Sequence, residues 1–305
     1  MLKWFSYLIY FLFLCQNVYG EKLTLETLES SGVTIRYEKA LKNAAPDVAA
    51  AYTRAKAALE KKMHIDLTVK PVIVLIHTDS AFNSMVGGNK LVAAFAVTGD
   101  NSIYIDYQKM LKTPFDLELT LTHELCHLQL HNYVQSDNLP KWLDEGVSQW
   151  VSGGIADIIN FDGKKLLKEA VISGKYLSLN DITFNFPAEQ NKLILAYEES
   201  KSLVEYIDEE YGSDKILLIL KNLHEGDDIN IAISNTLPVS LSALENEWHK
   251  HLKARYTWFY FFSDNLLWIL FVFAALLTVI GYLRLRVRMR THFKDEEEDD
   301  EPSNE

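Results

Sequence analysis

The stretch His123-Glu124-Leu125-Cys126-His127 constrains this chain more than any other, because its residues work together only on a helix. Residues i and i+4 leave a helix on one face, so both imidazoles can converge on one point with Glu124 beside them. H-E-x-x-H on a helix is the zinc-hydrolase arrangement; the competing reading is a surface helix with two unrelated histidines. Glu145, within Trp142-Leu143-Asp144-Glu145-Gly146 and 18 residues after His127, offers a third donor.

Two apolar runs frame the rest. Residues 1–20 read as a secretory signal peptide: Lys3, an apolar run from Trp4 to Cys15, and a polar end closing on Gly20. A retained N-terminal anchor is the alternative, and Leu14 before Cys15 argues against lipidation. Residues 266–283 carry no charge and are long enough to cross a bilayer as a helix, and the aromatic segment 256–265 before them suits an interface. Arg284, Arg286, Arg288 and Arg290 follow directly. By the positive-inside bias the 284–305 tail is cytoplasmic and 21–255 lies outside the cytoplasm, which in a bacterium means an inner-membrane protein facing the periplasm.

Net charge is −12, and the acidic block from Asp295 onward holds much of it; residues 21–283 still carry −10. That excludes a nucleic-acid-binding role, which needs clustered Lys and Arg. The acidic tail is expected to be disordered. Without the signal segment only Cys126 remains, so no intramolecular disulfide forms, and Cys126 reads as a small apolar core residue. No N-x-[ST] acceptor occurs, which fits a bacterial envelope.

In chain order, 32–37 alternates as a strand, 46–63 is an Ala-rich helix, and 69–77 is the most strand-like run. Residues 79–90 read as a polar loop, and 92–97 and 102–107 as two short strands around Gly99-Asp100. Whichever strand forms the sheet edge beside the motif can accept an extended peptide as an added strand. Pro114 and the acidic Asp116 and Glu118 open the motif helix; Leu117, Leu121, Leu125 and Leu128 form its apolar face. A second helix over 141–151, stopped by Gly153-Gly154, turns Glu145 back toward the histidines. From Phe161 the pattern is helical: 163–172, 188–210, 214–223 and 240–252. The fold class is therefore α+β: a small mixed sheet with the active-site helix over 21–155, a helical subdomain over 156–255, and one transmembrane helix.

Zinc takes about four ligands, and a catalytic site keeps one position for water. His123, His127 and Glu145 supply three, which makes Zn2+ the expected cofactor. Glu124, adjacent to a ligand but not itself one, is placed as general base. Tyr197 is the chosen oxyanion donor, with Tyr211 and His131 as the other candidates. Asp144 and Gln149 are placed to orient ligands from behind. The implied partner is a peptide or protein substrate, with the membrane reached through the C-terminal anchor.

The HELCH stretch followed by WLDEG resembles the gluzincin group of zinc metallopeptidases, closest to peptidase MA-like domains. The resemblance spans roughly residues 121–150, with looser likeness at Ala196-Tyr197-Glu198-Glu199-Ser200 and Leu244-Glu245-Asn246-Glu247-Trp248. It implies a zincin-like fold, ligands His123, His127 and Glu145, and Glu124 as base. The chain departs from the group in having 17 residues between His127 and Glu145, and Gln149 where some members carry Asp. No segment resembles the aminopeptidases' amino-terminus-binding motif, which favours an endopeptidase. A catalytically inactive membrane-anchored module that retains the fold is the alternative from another class.

Overall fold

The computed structural model describes residues 24–87, 92–112, 115–134, 138–154 and 163–299, with side chains except at 79, 257–265 and 287–299. Residues 1–20, where a signal peptide was expected, Gly88, Pro114 and residues 300–305 lie outside the described residues, as do the side chains of the aromatic run from Thr257 to Phe262. The chain divides into two units, 1–248 and 249–305.

The first unit opens with a hairpin, β1 (Leu25–Ser30) and β2 (Val33–Glu38). Gly32 makes the turn at φ +80°, a conformation L side chains rarely adopt, and its carbonyl accepts the Tyr52 hydroxyl at 3.0 Å. Helix α1 (Ala45–Met63) follows, with Pro46 in its first turn and Val48, Ala51, Tyr52, Ala55 and Leu59 buried. Then come β3 (Val72–Ile76), α2 (Asp79–Met85), β4 (Ala94–Val97), β5 (Ser102–Asp106) and the short α3 (Tyr107–Met110). The motif helix α4 spans Leu117–Tyr133 and the next helix, α5, spans Lys141–Ser152.

The five strands form one mixed sheet in the order β1-β2-β3-β5-β4. β2, β3 and β5 are parallel, while β1 and β4 run antiparallel to their neighbours. The register aligns Ile35, Ile73, Ile103 and Ala96 across the sheet, and Tyr37, Leu75, Ile105 and Ala94 in the next row on the same face. Helices α1 and α4 cover this face, and the isoleucines there are fully buried. Val74, Ile76, Phe95 and Tyr104 belong to the opposite face, where Phe82 packs.

That second face explains a difference from expectation. Residues 79–85 are helical rather than a loop, because Phe82 is fully buried against Val74 and Ile76 with its ring 5.7 Å from Phe95. β1 was also absent from the pattern reading, since its sequence LETLES has no apolar alternation and it is held by backbone pairing to β2.

The helical half contains α6 (Gly163–Ser173), α7 (Gln190–Tyr211), α8 (Ser213–His224) and α9 (Ile229–Thr236). Helix α9 was not anticipated; Asp228 caps it, accepting from the Asn230 and Ile231 backbone N–H groups at 2.8 and 3.0 Å. α10 begins at Leu241 and its first residues, through Trp248, complete this unit.

The second unit is the remainder of α10, which runs as helix to Asp299. Its stretch Leu266–Arg286 has a mean hydropathy of 2.6 and is exposed throughout, so among the described residues one helix is long and apolar enough to cross a membrane. The helix continues through the arginines and into the first acidic residues, where disorder was expected; Arg and Glu are both good helix formers.

Candidate metal centre

Helix α4 begins with Asp116 as its cap, the carboxylate accepting the Leu119 N–H at 2.9 Å. From Thr120 to Leu130 every residue is buried, so the helix runs through the middle of the domain. His123 and Glu124 are inaccessible and His127 is 8% exposed. Cys126 points instead toward α1, with Sγ 3.9 Å from Met63 Sδ. Burial pushes its thiol up to about 12, so it is inert packing as expected.

Helix α5 brings up the third group. Trp142 and Leu143 are fully buried and fix the helix in rotation, which leaves Glu145 facing α4. Gly146 is required by close approach to α7: a Cβ there would stand 2.5 Å from the Ser200 carbonyl oxygen and 2.7 Å from Val204 Cγ2. Further along, Trp150 Nε1 donates to Asp208 on α7 at 2.8 Å, and Lys62 of α1 lies 3.9 Å above the Trp150 ring. Gly153 ends the helix at φ +80°.

The donor atoms meet. His123 Nε2 and His127 Nε2 are 3.1 Å apart, and Glu145 Oε2 lies 3.6 and 3.5 Å from them. Zinc bonds of about 2.0–2.2 Å in tetrahedral geometry put ligand atoms about 3.3–3.6 Å apart. The three separations match that within a few tenths of an ångström. Glu145 Oε2 is buried without a hydrogen-bond partner, the condition of a donor awaiting a cation. His123, His127 and Glu145 thus form a buried group able to hold a metal ion.

Charges behind the site prepare it. Asp144 Oδ1 lies 2.7 Å from His127 Nδ1, and a carboxylate there accepts the hydrogen bond of Nδ1–H, which keeps the proton on that nitrogen and leaves Nε2 as a lone-pair donor. Ser148 Oγ is 3.2 Å from the same nitrogen. Asp144 Oδ2 lies 3.2 Å from His131 Nε2 and 3.4 Å from Lys141 Nζ. Lys141 also holds Glu145 Oε1 at 2.6 Å. Burial alone would raise both carboxyls, but His127 beside Asp144 and Lys141 beside Glu145 outweigh it and hold both well below the usual range. Burial would likewise lower His127, yet Asp144 and Glu145 raise it.

A sequence model of the peptidase MA superfamily matches residues 52–254, about two thirds of the chain. The chain belongs to the peptidase MA superfamily. No curated protein matches it. The peptidase MA match begins within α1 and ends within α10, so it takes in β3 to β5, both helices of the site and the helical half.

Within this peptidase MA domain Tyr197 sits on α7, half-buried, its ring edge-on to Phe186 at 5.1 Å between centroids. Gln149 Nε2 donates to the Tyr197 backbone carbonyl at 2.9 Å, which joins α5 to α7. Tyr211 donates to Glu247 Oε2 at 3.1 Å, committing its hydroxyl to α10. His131 Nε2 lies against Asp144 Oδ2 rather than with the His123–His127 pair. Lys141 and Ser148 were not singled out from the sequence. For Lys141 the signal was present, since it stands three and four residues before Asp144 and Glu145.

Proposed function

We propose that this protein is a membrane-anchored zinc peptidase of zincin-like fold that hydrolyses peptide bonds, as an endopeptidase, outside the cytoplasm. The observation that carries the reading is the spacing of His123 Nε2, His127 Nε2 and Glu145 Oε2, which suits zinc and leaves a fourth position for solvent. When bound, the metal would supply Lewis acidity, acidifying water and polarising the scissile carbonyl.

The chain's own residues do the rest. Glu124, buried between the two histidines in sequence, takes a proton from the attacking water and returns it to the leaving amine. Asp144 keeps His127 in the metal-binding tautomer. Tyr197 is assigned to the developing oxyanion. β4 is the edge strand of the sheet that packs against α4, so an extended peptide can pair with its open backbone.

The proposed layout is a signal peptide over 1–20, a peptidase domain over 21–255, a juxtamembrane segment over 256–265, a membrane span over 266–283 and a cytoplasmic tail over 284–305. The arginine-rich flank at 284–290 supports that orientation. The test is metal analysis and cleavage of an unfolded protein by the full chain in detergent. One zinc per chain with chelator-sensitive cleavage that His123→Ala abolishes is expected. A metal-bound chain that cleaves nothing would mark a binding module instead.

A further inference from the structure

Lys141 is the first residue of α5, where a positive charge opposes the helix dipole. Its place is explained by what it touches. The two oxygens of Glu145 are divided: Oε2 faces the ring nitrogens of His123 and His127, while Oε1 is held at 2.6 Å by Lys141 Nζ. The same ammonium lies 3.4 Å from Asp144 Oδ2, so it spans the carboxylate that would bind the metal and the carboxylate that orients His127. Its backbone is fixed as well, since the Lys141 N–H donates to the Thr183 carbonyl at 2.7 Å.

A free carboxylate can bind a cation through one oxygen or both, and the second mode raises the coordination number. Tetrahedral sites favour zinc, whereas oxygen-rich sites of higher coordination favour ions such as Mn2+. Resting on the zinc reading above, we propose that Lys141 is a positioning residue that confines Glu145 to a single donor oxygen, Oε2, and so sets which metal the site accepts. Asp144 receives a second hydrogen bond of the ammonium, which keeps Lys141 from swinging into solvent. Its side chain is 37% exposed, so replacing it opens no buried hole.

The full chain in detergent, stripped of metal and loaded with Co2+, reports coordination number through its visible absorption. The wild type is expected to show the intense bands of a four-coordinate ion, at least halved in K141M and restored in K141R. Competition should also move the Mn2+-to-Zn2+ affinity ratio toward manganese on the order of tenfold in K141M. An unchanged spectrum and ratio in K141M, with metal bound by the wild type, would overturn the role of Lys141 alone. A wild-type chain that takes up no Co2+ would overturn the zinc reading together with it.

Discussion

Replacing Gly146 by Ala tests whether the distance between α5 and α7 sets the metal site. The added methyl would lie 2.5 Å from Ser200 O and 2.7 Å from Val204 Cγ2, and the first of these is backbone that no rotamer change can move away. Ordinary contact begins about 3.4 Å out, so the helices must part by about 0.9 Å. Overpacking of this kind costs about 1–3 kcal/mol. For a domain of this size each kcal/mol lowers Tm by about 2–4 °C, so a fall of about 2–12 °C is expected. Because Glu145 is the preceding residue, the displacement also carries Oε2 away from its 3.5–3.6 Å spacing to the ring nitrogens and weakens zinc binding. Thermal melts followed by circular dichroism, with zinc affinity from chelator competition, measure both. Gly154→Ala is the control, since nothing lies within 4 Å of a Cβ there. A Gly146→Ala protein that melts and binds zinc as the wild type does would refute the reasoning.

Asp144→Asn should weaken zinc about 10–100-fold in chelator competition, because the amide no longer enforces the Nδ1–H tautomer of His127; unchanged affinity would contradict this. Burial raises Glu199 from its ordinary 4.5 to about 8, against the Leu177 N–H that it accepts. Its contribution to stability is therefore complete below pH 4.5 and is lost as pH rises through about 8, at roughly 1.4 kcal/mol per unit. Glu199→Gln should flatten the decline in melting temperature between pH 5 and 8, and parallel pH profiles of the two proteins would count against it. For topology, Ser303→Cys in a Cys15→Ser background should react with an impermeant maleimide only after lysis, since the proposed tail is cytoplasmic and Cys126 is buried; labelling of intact cells would invert the orientation.

The two-helix core of the site was legible because its signals are local. The i, i+4 spacing of His123 and His127 follows from helix geometry alone, and Glu145 was marked by the WLDEG stretch 18 residues on. The limits of α4 and α5 are announced by the acidic cap at Asp116 and the stop at Gly153. What stayed hidden depends on contacts far apart in sequence. Gly146 is needed by Ser200 and Val204, residues on a helix no spacing rule connects to it. Residues 79–85 read as polar until Phe82 packs beside Phe95 on the second face of the sheet. β1 exists only because β2 pairs with it.

The central claim is that Glu124 moves the proton for a zinc-dependent cleavage, and Glu124→Gln tests it most directly. The variant has the same shape and leaves His123, His127 and Glu145 in place, so full-chain wild type and variant should each hold one zinc. Cleavage should fall by about 10²–10⁴-fold in the variant. Equal turnover by two proteins of equal zinc content would contradict the account.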